Sequence, residues 1–296
     1  MLGMLGMFGI FNIFNIFEIF AANFFKLTEL FRYPFMVRAF AAGILIALCA
    51  ALLGTVLVLK HYSLIGHGLA DVGFASLSVA AAFGLPPMAV SVPVVITASF
   101  IIMAYSQRKG IAGDTALGIV ATSSIAIGII VTSLTRGFNI DVYNYMFGSI
   151  LAMSASDTVM SLCLAVVVIG LFILFYNRIF LITADENFAI SSGINVSVYQ
   201  FLISFLTALT VVVGMKMMGT LLISSLIIVP AVTAKKIAGS FKSLVILSSV
   251  ISVICFILGM AVSVIANIPT GAGIVAVSVV FMICAGVAGA VLRGRP

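Results

Sequence analysis

Long intervals without a single Asp, Glu, Lys or Arg constrain this chain more than any motif in it. They cover residues 39–59, 72–107, 115–135, 158–177, 187–215, 217–234 and 243–292. A helix needs about 20 apolar residues to cross about 30 Å of hydrocarbon. Inside lipid its backbone N–H and C=O groups must be satisfied internally, which a helix does and an open strand does not. Two intervals are too long for one crossing. Gly84-Leu85-Pro86-Pro87 divides the first and Asn267-Ile268-Pro269-Thr270-Gly271 the second, since glycine and proline punctuate helices. Nine candidate spans result, over 38–59, 63–83, 88–106, 115–134, 157–176, 197–214, 218–234, 243–266 and 273–292. The predicted fold is therefore an all-α, polytopic transmembrane helical bundle of about 8–9 spans.

Composition excludes whole classes of function. With 64% hydrophobic and 7% charged residues, the 296-residue chain has no polar surface for an aqueous catalytic domain, a nucleotide-binding domain or a nucleic-acid interface. Its net charge of +6 belongs to loops at the membrane surface, where lipid is the neighbour. Placing the C-terminus inside puts Lys60, Arg108, Lys109, Arg178, Lys235, Lys236, Lys242, Arg293 and Arg295 on the cytoplasmic side. Arg32, Arg38, Arg136 and Lys216 then lie outside, and nine against four favours that orientation. Cys49, Cys163, Cys255 and Cys284 stand singly in apolar runs, a spacing that suits neither disulfides nor a thiolate metal site. No early basic region or A-x-A-like site precedes Glu18, so no cleavable signal is expected.

Two segments fall outside the regular pattern. Residues 1–34 form a hydrophobic leader in which an Ile-Phe pair recurs every three residues from Ile10 to Phe20; an interfacial anchor and an extra span both fit it. Residues 139–153 are short and carry Asp141 and Asn144, which predicts a partly inserted or surface helix on the outer side. The transmembrane domain proper is expected over 35–296.

Ionisable groups inside a bilayer are costly, and each is a candidate functional residue. His67 and Asp71 lie at the start of the second span, in Ser63-Leu64-Ile65-Gly66-His67-Gly68-Leu69-Ala70-Asp71. Their i, i+4 spacing puts both on one helix face, about 6 Å apart along the axis. Imidazole nitrogen and carboxylate oxygen suit zinc, manganese and ferrous iron. A two-fold dimer would supply a second pair and make a four-ligand shell; an intrahelical hydrogen bond that merely masks polarity fits the spacing equally. His61, beside Lys60 and Tyr62, reads as a loop residue. Asp114 and Asp157 read as helix caps, and Asp141 as an interfacial cap or ion pair.

The longest inner polar connection, 183–195, predicts a short surface helix. Thr183 or Asp185 can cap its start, Glu186 suits the positive end of the dipole and Gly193 can close its end. Such a helix is a natural docking element for a cytoplasmic partner. Ser224 and Ser225, in the apolar run 220–229, fit a translocation path and ordinary helix packing alike.

Several blocks, in order and at their separations, resemble one family. "RYPFMVRAFAAGILIALCAALLGTVLVLKHYSLIGHGLADVGFASLSVAAAFG", "GDTALGIVATSS", "YMFGSILAMSASD", "TADENFAISSGI" and "MMGTLLISSLIIVPAVTA" are similar to the membrane permease subunit of ABC-type zinc/manganese/iron importers. The resemblance implies a homodimeric, multi-pass permease of the prokaryotic cell membrane, with a fold similar to the type II importers of cobalamin and siderophores. It also implies a metal-binding protein outside, two ATP-binding subunits inside, no permanently bound cofactor, and a divalent zinc, manganese or iron ion as cargo. Residues Asp185, Glu186, Ala189 and Gly193 would belong to the coupling helix that seats in the ATPase, and His67 and Asp71 would carry the metal. One departure stands out: the family pattern has aspartate followed four residues later by histidine, whereas here the order is His67 then Asp71. The span boundaries also put His67 only about one turn from the inner end, low for a site on the path.

No G-x-x-x-x-G-K-[ST] occurs in the chain, so it is not expected to be an ATPase. The competing class is an ATP-independent secondary transporter or channel in which His67 and Asp71 relay protons or a cation. A chelated metal or cobalamin is the alternative cargo, against which the His–Asp pair argues.

Overall fold

A computed structural model describes residues 33–106, 113–134, 148, 153–266 and 268–293. The leader, all but Gly148 and Met153 of the 139–153 segment, and Asp141 lie outside them, as does the side chain of Asp114. The described residues are α-helical apart from short turns: α1 (Pro34–Leu59), α2 (Ser63–Ala82), α3 (Pro87–Ser106), α4 (Gly113–Leu134), α5 (Ala155–Leu174), α6 (Tyr176–Ala184), α7 (Glu186–Ser191), α8 (Val196–Met218), α9 (Thr220–Ile237), α10 (Phe241–Ala266) and α11 (Thr270–Arg293). Nine of these are long and apolar enough to cross a membrane, in agreement with the spans read from the charge-free intervals.

The differences lie at the ends. α1 begins four residues before the expected start, at Pro34, a residue suited to the first helical position because its missing N–H has no partner there anyway. The helix therefore runs through Arg38, whose long side chain can reach back toward the interface. α8 likewise continues through Lys216, which pairs with Asp157 at 2.7 Å. Short helix α6 was not separable from the fifth span by sequence. Phe175 divides the two.

Tight turns close the helices. After α1, Tyr62 N–H donates to Leu57 O (2.7 Å) and His61 N–H to Val58 O (3.4 Å), with His61 at φ +60°. After α2, Leu85 N–H donates to Ala80 O and Gly84 N–H to Ala81 O, with Gly84 at φ +64°. Both are Schellman caps, which need a left-handed residue just past the helix; histidine fills that place after α1.

Serine hydroxyls knit the spans together. Ser252 and Ser248 of α10 donate to Ala47 O (3.0 Å) and Ala51 O (3.5 Å) of α1, and Ser99 of α3 donates to Ser204 O of α8 (2.9 Å). Small polar residues of this kind hold membrane helices close without exposing polarity to lipid. The described cysteines are all free, with Cys49 and Cys255 buried.

The helices are not level. Gly54 of α1 packs so tightly on α9 that a Cβ there would lie 1.9 Å from the Ile227 carbonyl oxygen. Leu59 ends α1 five residues later, whereas α9 runs ten residues past Ile227, so α1 stops about 7 Å short of the inner end of α9. The α1–α2 turn is therefore recessed, and α6 and α7 lie beneath it. An open cleft of about 390 Å³ between Leu59, Phe180, Thr183, Lys235 and Phe241 occupies part of this step.

Candidate metal site and coupling helix

α2 is wedged among its neighbours by glycine. A Cβ on Gly66 would lie 3.0 Å from Ile227 of α9, one on Gly68 3.5 Å from Leu117 of α4, and one on Gly73 2.6 Å from Met215 of α8. A side chain at Gly66 or Gly73 would have to displace the end of Ile227 or Met215, whereas one at Gly68 would meet Leu117 at ordinary contact distance. Between these contacts His67 stays open, with its side chain 55% exposed, while the Asp71 side chain is 7% exposed.

The two groups face each other, with His67 Nε2 3.7 Å from Asp71 Oδ2. That is beyond hydrogen-bonding distance, and the buried Oδ2 has no hydrogen-bond partner. The polarity-masking bond that the spacing allowed is thus not made. An orphaned buried carboxylate oxygen calls for an explanation, and a cation arriving from the His67 side would satisfy it. Among the described residues, no three His, Cys, Asp or Glu side chains gather into a metal-binding group. One copy of the chain thus offers, among the described residues, at most the His67–Asp71 pair at this place, short of a closed shell.

The recessed turn sets this pair further from the Ile237 end of α9 than its place early in α2 suggests. His67 is four residues and Asp71 eight residues into α2. Adding the stagger between α1 and α9 places them about 13 Å and about 19 Å along the helix axes from the Ile237 end of α9. The expectation that His67 stands about one turn from the end of its span took every span to end at one level, which the stagger of α1 and α9 does not follow.

At the inner face, Asp185 caps α7 by accepting the Phe188 N–H (3.0 Å), while Thr183 donates back to Ile179 O within α6. Gly193, at φ +77°, donates to Ile190 O, and Ile194 N–H donates to Ala189 O, completing a third Schellman cap. Ala189 is buried. Glu186 turns inward to Lys60 at 2.9 Å and accepts from Gln200 Nε2 at 3.3 Å. Asp185, Glu186, Ala189 and Gly193 thus shape and seat the helix, and its exposed apolar side chains are Phe188 and Ile190, each 58% exposed. Sequence reasoning passed over these two, although apolar residues in an otherwise polar connection were the available signal.

The remaining candidates are structural or undescribed. His61 closes α1. Asp157 occupies the third position of α5 and completes a capping box with Ser154, the N-cap itself. On α9, Ser224 donates to Thr220 O (2.9 Å) in its own helix, and Ser225 Oγ is buried without a partner.

Comparison with known proteins extends over nearly the same residues. The chain matches the ABC 3 transport family across residues 32–288. It is 27% identical over 259 residues to the manganese transport system membrane protein MntC of Listeria monocytogenes, covering 88% of this chain and 92% of that protein. It is also 27% identical over 237 residues to the high-affinity zinc uptake system membrane protein ZnuB of Haemophilus influenzae, covering 80% and 91%. A solved structure, PsaBC from Streptococcus pneumoniae in complex with Fab, superposes with a TM-score of 0.79 at 26% identity, covering 90% of this chain and 98% of that one. With nine apolar helices among its described residues and this match over most of its length, the chain is a multi-pass membrane protein that belongs to the ABC 3 transport family.

Proposed function

We propose that the chain is the membrane-spanning permease subunit of an ABC importer for a divalent transition-metal ion, zinc, manganese or iron. Two copies form the pathway, ATP-binding subunits dock on the inner face, and a metal-binding protein delivers the ion outside. The observation that carries this reading is the partnerless, buried Asp71 Oδ2 facing the open His67 imidazole, in a chain whose relatives are named for manganese and zinc transport.

Each copy supplies one nitrogen and one oxygen ligand, and a two-fold axis beside the exposed His67 side chain brings two such pairs together. Both groups bind metal in their deprotonated forms. An N2O2 shell of this kind fits all three ions, so preference among them depends on geometry and on the delivering protein. Binding must be weak enough for release, and opening to either side in turn follows movement of the α7-linked helices when ATP closes the ATPase dimer. The exposed Phe188 and Ile190 on a six-residue inner helix favour a docked cytoplasmic partner over a stand-alone secondary transporter.

The test is uptake of zinc, manganese and iron into vesicles holding the permease with its ATPase and binding protein. ATP-dependent uptake of at least one ion is expected. Flux that is indifferent to ATP would place the protein among secondary transporters or channels.

A further inference from the structure

Lys60 and Glu186 are 126 residues apart in the chain and 2.9 Å apart in space. Lys60 is the C-cap residue that follows α1, and its side chain is only 10% exposed. Glu186 opens α7. Its carboxylate is shared, accepting from Lys60 on one side and from Gln200 of α8, itself buried, on the other. A surface helix six residues long is thereby fastened by charge to the end of a membrane span.

What lies on the far side of Lys60 is the metal-bearing helix. The connection is only Lys60-His61-Tyr62, and it is stiff. Lys60 N–H donates to Val56 O (3.0 Å), Tyr62 N–H to Leu57 O (2.7 Å), and Ile65 N–H to Tyr62 O (3.0 Å). With its backbone bonds made and His61 fixed in the left-handed region, the turn transmits a displacement instead of absorbing it. A shift of Glu186 with α7 therefore carries Lys60, the turn and the first turns of α2, where His67 and Asp71 stand. Gln200 of α8 donates to the same carboxylate at 3.3 Å, so Glu186 sits between the end of α1 and α8.

We propose that the Lys60–Glu186 pair is the linkage through which α7 moves α2, with both residues acting as positioning groups inside the permease and not as contacts to the ATPase. The proposal rests on the reading of α7 as the ATPase-docking helix. Its chemistry is an ion pair shielded at one end, so both charge and reach matter: the linkage needs a cation at 60 and an anion at 186.

The experiment uses the whole importer, permease with ATPase and binding protein, in proteoliposomes, reading ATPase co-purification and metal ions moved per ATP hydrolysed. Lys60→Met should retain the ATPase at wild-type stoichiometry while the metal-to-ATP ratio falls about tenfold, within the range of coupling effects between distant sites. Lys60→Arg, which keeps the charge, should stay near wild type, and the exchange Lys60→Glu with Glu186→Lys should recover most of the ratio lost in Lys60→Met. An unchanged ratio in Lys60→Met, or a loss that neither charge-keeping variant avoids, overturns the linkage. Phe188→Arg tests the underlying reading separately. It should release the ATPase, and an ATPase that stays bound and productive would overturn the docking role of α7 whatever Lys60 does.

Discussion

Asp157 and Asp71 each meet a basic neighbour, and they are satisfied to very different degrees. At the outer end, Asp157 accepts from Lys216 at 2.7 Å, from the Ser154 hydroxyl at 2.7 Å and from the Ser154 N–H at 3.1 Å. It ties the start of α5 to the end of α8 with both of its oxygens engaged. Asp71 is more deeply buried, yet its nearest basic group is 3.7 Å away and Oδ2 has no hydrogen-bond partner. A group kept only for stability would be expected to resemble Asp157, since buried polar atoms are ordinarily satisfied. The incomplete satisfaction of Asp71 is what a transient cation site requires.

Substitutions can break this contrast, beginning with the largest effect. Asp71→Asn should lower ATP-driven metal uptake by about 100-fold or more, because even a residue behind a metal ligand is worth about 10- to 100-fold. The same variant should assemble normally and lose no thermal stability, since it removes an unsatisfied buried charge. Uptake at the wild-type rate would remove Asp71 from the path. His67→Ala should cost at least about tenfold by the same reasoning, checked in the same assay.

Sharper still is the exchange His67→Asp with Asp71→His, which restores the order of the family pattern. Both ligand types and the helical face survive, so uptake should remain within about tenfold of wild type while the preference among zinc, manganese and iron shifts with geometry. Competition between the three ions reads that shift. At the opposite pole, Asp157→Ala should leave uptake nearly untouched and lower stability by about 1–2 kcal/mol, the value of a lost helix cap and a modest ion pair, measured by thermal unfolding of the purified chain. The smallest effect is expected of His61→Gly: relieving a left-handed non-glycine residue should stabilise the α1 end by about 1 kcal/mol, a change visible in the same unfolding assay.

How much of this was legible in the sequence differs by level. Span number and type were legible because the bilayer forces charge to the ends of apolar runs, and the intervals between Arg38, Lys60, Arg108 and their like recorded that force directly. Precise ends were not, because Arg38 and Lys216 sit within helices where a flexible stem or an Asp157 partner accommodates them. The His67–Asp71 pairing followed from i, i+4 spacing. Its depth did not, since depth depends on the stagger of α1 against α9 at Gly54 and Ile227. Nor could the inward turn of Glu186 be read: local rules place an acidic residue at a helix start for the dipole, while its actual partner, Lys60, comes from a distant part of the chain.

The central claim is that two copies share one metal site, and a mixed dimer tests it most directly. Wild-type and Asp71→Asn permeases carrying different affinity tags can be co-expressed, the heterodimer isolated through both tags, and ATP-driven uptake measured with the ATPase and binding protein. A shared four-ligand site predicts uptake far below half of wild type, approaching that of the double-mutant dimer. Uptake at half the wild-type rate or above would mean that each copy moves metal on its own, contradicting the account.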